Sequence, residues 1–360
     1  MKIAQIAPIN LPIPTKYGGV ERIITDLTYG LRQKKHDITV YASGDSKIEG
    51  KKSFINKHIS GDYMKVSKIT LTHLTHLSLS FNHAEKISDI IHCHIAYLPF
   101  FYTPFISKPI LITMHNPIKY TEHKEILDKF KYKYLISISK NQQKNTPGVY
   151  FFSNIYNGVD TKIFNFPEDE VKKEDFLWVG RFSKIKGPDL AIKSINKIKG
   201  KLILIGPKSL GDTNFYEKKI KPFINSKNII YKGEKNKNDL VKYYQNAKAL
   251  LFPIQWEEPF GLVMIEAMAC GTPVIAFKRG SVPEIIKDGE TGYVVNPAEG
   301  VHGYVKAIKK LNSLSKVDYK KMCSNCRKHV EENFTVEKMV DNYEKVYQKV
   351  IDDWKEKHKK

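Results

Sequence analysis

Short apolar runs recur along the chain, most of them ended by a glycine, proline or histidine and followed by a segment with apolar residues three and four apart. Runs at 2–7, 36–41, 89–94, 110–114, 134–139 and 149–154 read as strands, as do those at 176–179, 201–205, 228–231, 249–252, 274–277 and 289–295. Many are nearly continuous Ile, Leu and Val, the pattern of strands covered on both faces of a parallel sheet. Between them, Val20, Ile23, Ile24, Leu27 and Leu31 keep helical spacing behind Gly18 and Gly19. Residues 45–88 read as polar loops with two helices, and 120–133 as a basic, aromatic helix. Further helices are expected from Pro188, over 240–246, over 261–270 and from 299 onward. The last, about 336–354, lines up Val340, Tyr343, Val346, Tyr347, Val350, Ile351 and Trp354 in a stripe that must dock on something. Strands and helices alternating through two successive sets make an α/β chain of two parallel-sheet domains. The expected boundaries are 1–163 and 164–340, with 341–360 as a terminal helix and the polar stretch 165–175 as linker.

Composition changes this picture little. A length of 360 residues fits about two domains. The net charge of +21 invites a nucleic-acid reading. Only five of the 59 basic residues are arginine, however, and specific base readout leans on Arg. The excess is also shared: residues 1–163 hold 22 Lys/Arg against 12 Asp/Glu, and the remainder 37 against 26. A solvated lysine-rich face and an attraction to anionic lipid headgroups or an anionic acceptor both stay open. Four cysteines give no disulfide framework in a chain of this length. Cys323 and Cys326 read as two thiols on a helix face. His73, His76 and His83 suit one helix face and read as structural or surface groups rather than metal ligands. No apolar run reaches membrane-spanning length, and the prolines at 8, 12 and 14 break any signal-peptide core, so a cytoplasmic protein is expected, with or without peripheral contact at an anionic membrane.

The chemistry is densest over 252–286. Glu258 precedes the expected helix and Glu266 lies inside it, eight helical steps or ~12 Å apart. Between them lie the first helical N–H groups, from Phe260 through Gly261 and Leu262 to Val263. They are unpaired, at the positive end of the helix dipole, and suited to a diphosphate. Arg181 and Lys186 stand five apart in the turn after the 176–179 strand, and the planar Arg fork suits bidentate phosphate binding. The opening turn at Gly18-Gly19 lacks the GxGxxG fingerprint of dinucleotide binders, which disfavours a nicotinamide cofactor. His94 and His115 end two strands, where ligands of parallel sheets collect. His94 on its own reads equally as a satisfied polar group.

Glu258-Pro-Phe-Gly-Leu262 followed by Glu266-Ala-Met-Ala269, then Gly-Thr-Pro-Val (271–274) and Pro283-Glu284, resembles the two-glutamate signature of retaining glycosyltransferase family 4. The resemblance covers nearly the whole chain and is most specific over 176–295. It implies the GT-B fold: two Rossmann-like parallel-sheet domains facing a central cleft, the C-terminal helix crossing back to the first. It implies transfer of a sugar from a nucleotide diphosphate, with UDP the expected carrier, to a glycan, lipid-linked or small-molecule acceptor. Configuration would be retained by front-face attack within an ion pair, without an assigned covalent nucleophile. By the same resemblance Arg181 and Lys186 bind the diphosphate, Glu258 the sugar hydroxyls and Glu266 the ribose. Gly18 and Gly19 cover the phosphates, and His115, in the pattern Thr113-x-His115, holds the sugar. Tyr231 and Lys232 lie beside the base, and His94 lies on the acceptor side. Arg181, Lys186, Glu258 and His115 are the expected catalytic group. No Asp-x-Asp pair occurs in the sequence, so protein cations are expected in place of a metal, with no cofactor. The alternatives are a phosphorylase of this fold using pyridoxal phosphate, for which no convincing lysine context is present, and a basic membrane- or nucleic-acid-binding protein without catalysis.

Overall fold

The computed structural model describes residues 1–15, 18–55, 66–118, 120–167, 175–208, 212–225 and 227–358. The chain forms two compact units, Met1–Gly158 with Val336–Lys360, and Val159–Thr335. Both breaks fall five residues before the boundaries at 163 and 340. Val159 and Thr335 form a parallel bridge, and the Val159 N–H donates to the Phe334 carbonyl at 2.8 Å. The second unit therefore closes on itself there.

The first unit carries strands β1 (Lys2–Ile6), β2 (Asp37–Tyr41), β3 (Lys51–Lys52), β4 (Ile90–Cys93), β5 (Ile110–Met114), β6 (Leu135–Ser137) and β7 (Ser153–Asn154). All pair in parallel, in the order β3-β2-β1-β4-β5-β6-β7. Its helices are α1 (Gly19–Gln33), α2 (Val66–Ile87), α3 (Tyr120–Phe130) and α4 (Lys140–Lys144). Ala4, Ile6, Ile91, Cys93, Ile110 and Ile112 pack on Leu77, Phe81 and Ala84 of α2 and Leu127 of α3. Only one helix fills the described part of 45–88, where two were expected. Residues 66–87 contain neither Gly nor Pro, so nothing interrupts that helix; residues 56–65 lie outside the described set. Its histidines have local partners: His76 Nε2 meets the Ala7 carbonyl at 3.1 Å, and His83 Nδ1 the Tyr41 hydroxyl at 2.9 Å.

The second unit carries β8 (Asp175–Val179), β9 (Leu202–Ile205), β10 (Ile229–Tyr231), β11 (Ala247–Phe252), β12 (Val274–Phe277) and β13 (Gly292–Val295), all parallel, in the order β10-β9-β8-β11-β12-β13. Its helices are α5 (Pro188–Ile198), α6 (Thr213–Lys219), α7 (Lys237–Asn246), α8 (Leu262–Ala269), α9 (Val282–Ile285), α10 (Gly300–Asn312) and α11 (Lys316–Asn333). Trp178, Leu204, Leu251 and Ile275 from the strands pack with Ile192, Ile195, Tyr304 and Ile308 from α5 and α10. Cys323 and Cys326 are buried on α11 and form no disulfide, and the Cys326 thiol donates to the Thr291 carbonyl at 3.3 Å. Of the expected linker, residues 168–174 lie outside the described set. Before them, Gln245 Nε2 donates to the Asn165 carbonyl at 3.0 Å, and the Phe166 ring fills the space beside Gly271.

The terminal helix α12 (Val336–Lys357) belongs to the first unit. Its stripe from Met339 to Ile351 is buried. Gly30 of α1 makes the crossing possible: a Cβ there would lie 2.4 Å from Val340 Cγ2. Lys34 pairs with Glu344 at 2.7 Å, and Lys133 with Asp353 at 2.5 Å. Among the described residues, no helix is long and apolar enough to cross a membrane.

Each sheet therefore collects its strand carboxyl ends on one edge. Strand order reverses between β1 and β4 in the first unit and between β8 and β11 in the second. Open parallel sheets bind ligands outside these reversals.

Candidate active site

In the second unit, the loops after β8 and β11 occupy the reversal. The β8 strand runs out at Val179, Gly180 and Arg181, and a single 3-10 turn over Lys184–Lys186 follows. Gly187 then takes φ +68° and lies so close to the β11 exit that a Cβ would be 2.1 Å from the Pro253 carbonyl oxygen. Side chains rarely adopt that backbone. Gln255 stitches the two loops together: its N–H donates to the Ile185 carbonyl at 2.8 Å and its Nε2 to the Lys184 carbonyl at 2.6 Å. Lys186 and Glu258, 72 positions apart in the chain, meet here. Lys186 Nζ and the Trp256 indole N–H both donate to Glu258 Oε2, at 2.5 and 2.8 Å. Lys186 also sits over the Trp256 ring, 5.2 Å from its centroid. Glu258 is buried, and Oε1 has no protein partner among the described residues. Arg181 is exposed and has no ion-pair partner among the described residues.

The loop after β12 sets the backbone of Glu258, and sequence reading missed it. Ser281 donates its N–H to the Glu258 carbonyl at 2.9 Å and its hydroxyl to the Phe260 carbonyl at 2.7 Å. Gly280, at φ +56°, leaves no room for a side chain: a Cβ would be 2.2 Å from the Glu258 oxygen. Its N–H donates to Glu257 Oε2 at 2.6 Å. The only signal in the sequence was the Lys-Arg-Gly-Ser turn itself, at 278–281.

Helix α8 starts at Leu262, because Gly261 adopts the left-handed conformation at φ +82°. The amide end is therefore Leu262 and Val263. Phe260 is a core residue, its ring edge-on to Phe334 at 6.0 Å. Glu266 is wholly buried, and its Oε2 accepts from the Tyr244 hydroxyl of α7 at 2.9 Å. Farther along the edge, the Tyr231 hydroxyl donates to the Gly206 carbonyl at 2.9 Å. Lys208, absent from the expected set, lies over the rings of Tyr231 and Tyr216 at 4.7 and 5.0 Å. Lys232 is exposed beside them.

In the first unit, Gly18 caps α1 with φ +144°, and Glu21 lies in the first turn. A Cβ at Gly18 would be 2.4 Å from Glu21 Oε2. Glu21, which the sequence reading did not single out, is buried, and burial lifts its carboxyl from 4.5 to about 7 against the pull of its own N–H. His115 follows β5. Gln142 Nε2 donates to the carbonyls on either side of it, Met114 at 2.7 Å and Asn116 at 2.8 Å. His94 Nδ1 and His115 Nε2 lie 2.9 Å apart. Burial pushes His115 down to about 3 and His94 well below the usual histidine range, with His92 adding to the effect on His94.

The two units also divide the sequence likeness. Residues 17–163 match the profile described as Glycosyltransferase Family 4, and residues 159–332 that described as Glycosyl transferases group 1. The chain is 25% identical to spore coat protein SA of Bacillus subtilis, over 97% of this chain and 100% of that one. It is 29% identical to N-acetyl-alpha-D-glucosaminyl L-malate synthase of Bacillus anthracis, over 55% and 54%. Its fold is similar to sucrose-phosphate synthase from Thermosynechococcus elongatus, with a TM-score of 0.83 at 20% identity over 98% and 99% of the two chains. It is also similar to HepE of Anabaena in complex with UDP and glucose, with a TM-score of 0.78 at 17% identity over 97% and 99%.

Proposed function

We propose that this chain, which belongs to glycosyltransferase family 4 and is a nucleotide-sugar glycosyltransferase, transfers its sugar with retention of anomeric configuration and without a metal ion. The observation that carries the reading is the group at the β8–β11 reversal: an exposed arginine, a lysine hydrogen-bonded to Glu258 at 2.5 Å, and the amide end of α8. The bond from the anomeric carbon to the diphosphate oxygen breaks with its electron pair leaving on phosphate. The acceptor hydroxyl adds to the anomeric carbon on the same face, and its proton passes to the departing oxygen. Arg181, Lys186 and the Leu262 and Val263 amides take the charge that grows there. Such stabilisation acts where charge develops, and hydrogen bonds to charged groups contribute roughly 1.5–3 kcal/mol each. Glu258 Oε1 accepts from a sugar hydroxyl and Glu266 from the ribose. His115 holds the sugar, and Gly18 with Gly19 lets backbone come close to the phosphates. Tyr231, with Lys208 and Lys232, borders the base. UDP is the proposed carrier, supported by the HepE complex with UDP and glucose. The acceptor is a glycan, a lipid-linked sugar or a small molecule.

Arg181 is the informative position to change. Lys186 sits in a largely buried ion pair, and removing it strands the Glu258 charge, a loss of stability of about 3–5 kcal/mol in such cases. Arg181 is exposed, so Arg181→Ala leaves the fold alone and lowers turnover of the nucleotide sugar by ~10²-fold or more. Near-wild-type turnover would remove the charge-stabilising role. Activity lost in EDTA and restored by magnesium would refute the metal-free step, and an inverted product by NMR would refute retention.

A further inference from the structure

The polar side chains under α12 form one connected file. His92 sits between the Tyr347 hydroxyl at 2.7 Å from Nδ1 and the Thr113 hydroxyl at 2.8 Å from Nε2. Thr113 in turn meets the Tyr343 hydroxyl at 3.0 Å. The His94 ring lies 3.9 Å from that of His92, centroid to centroid, and its Nδ1 meets His115 Nε2. At the other side of the same ring, His94 Nε2 is buried without a hydrogen-bond partner among the described residues.

That orphan atom decides which histidine donates. Burial keeps both rings neutral near pH 7, so one hydrogen is shared across the 2.9 Å contact. Two arrangements are open. If His94 carries its hydrogen on Nε2, a buried N–H is left without an acceptor among the described residues, a rare state. If His94 carries it on Nδ1, the orphan is only a lone pair, which is tolerated better. His94 then donates to His115 Nε2, and His115 must hold its own hydrogen on Nδ1. Gln142 fixes the backbone on both sides of His115, so its ring orientation and tautomer are what His94 controls.

We propose that His94 is a positioning residue that locks His115 in the Nδ1–H tautomer, so that His115 presents a hydrogen-bond donor to the sugar being transferred. This rests on the assignment of His115 to the sugar above. It adds a chemical demand on the substrate: the group that meets His115 must be an acceptor, such as a hydroxyl or carbonyl oxygen. Loss of His94 frees the ring to present a lone pair, which repels that oxygen.

The tautomer can be read without substrate. In the full-length protein labelled with 15N-histidine, a long-range 1H–15N spectrum identifies the protonated nitrogen of each ring, and His115→Gln assigns the His115 signals. The expected wild-type pattern is Nδ1–H at His115, changing to Nε2–H or a mixture in His94→Leu. In transfer assays with a UDP-sugar, His94→Leu lowers kcat by about tenfold with KM within about twofold. His94→Asn, whose amide can donate from near the former Nδ1 place, recovers most of it. An Nε2–H tautomer at wild-type His115 overturns the proposal. So does unchanged kcat in His94→Leu, or no recovery in a His94→Asn protein that melts like wild type. If the wild type transferred no nucleotide sugar, the sugar assignment would fall, while the spectrum would still decide the tautomer.

Discussion

Glu21 is a carboxyl kept in the wrong place for its charge, and replacing it with Gln tests this directly. It is 5% exposed, and burial raises it from 4.5 to about 7. In the unfolded chain it titrates near the ordinary value, so between the two values the folded state holds the extra proton. Stability therefore falls as pH rises from about 4.5 to 7, and the whole penalty is present above 7. At about 1.4 kcal/mol for each tenfold change in the protonation equilibrium, the penalty is ~3 kcal/mol. Glu21→Gln keeps the shape and removes the charge. The gap between variant and wild type should be small at pH 4.5 and reach its full value by pH 8. For a unit of this size it corresponds to roughly 6–12 °C in melting midpoint. Differential scanning calorimetry across pH 4–8 measures it. Other titrating groups are common to both proteins and cancel in the difference. A gap that stays constant with pH, or a wild type that gains on the variant toward pH 8, would refute the argument.

Gly280→Ala should displace the Glu258 backbone, because the new Cβ falls 2.2 Å from its carbonyl oxygen and no flexible side chain can yield. A shift near 1 Å at a reacting group can cost 10²-fold, so turnover should drop by about that much while the far-UV circular dichroism spectrum holds. Lys208→Met removes the cation over Tyr216 and Tyr231, and scanning calorimetry should show a small loss of stability, about 0.5–1 kcal/mol for an exposed cation–π contact; an unchanged midpoint would refute the contact's contribution. Gly30→Ala gains helix propensity of about 1 kcal/mol but meets Val340 at 2.4 Å; overpacking at about 1–3 kcal/mol outweighs it, so the midpoint falls slightly rather than rising.

The strands, most helices, and the placing of Arg181, Lys186 and Glu258 on loops after β8 and β11 were legible in the sequence. Continuous Ile, Leu and Val runs can be satisfied only between two covered faces, and glycines mark where the chain leaves them. The stripe of α12 likewise announced a partner surface. Which surface it was depended on Gly30, a single residue whose missing side chain admits Val340. The same limit hid Glu21, Gly280, Ser281, Gln142 and Lys208. Each acts through something distant in sequence: burial, a carbonyl to be gripped, or a ring to be covered. Phe260 and Glu266 also have partners that their motif spacing did not name, the Phe334 ring for one and the Tyr244 hydroxyl for the other. Local periodicity and turn chemistry determine where elements begin, because those forces act within a few residues. Burial and hydrogen-bond pairing are set by neighbours scores of positions away, so only the tertiary structure could decide which polar atoms are paired, which are orphaned, and which face a ligand.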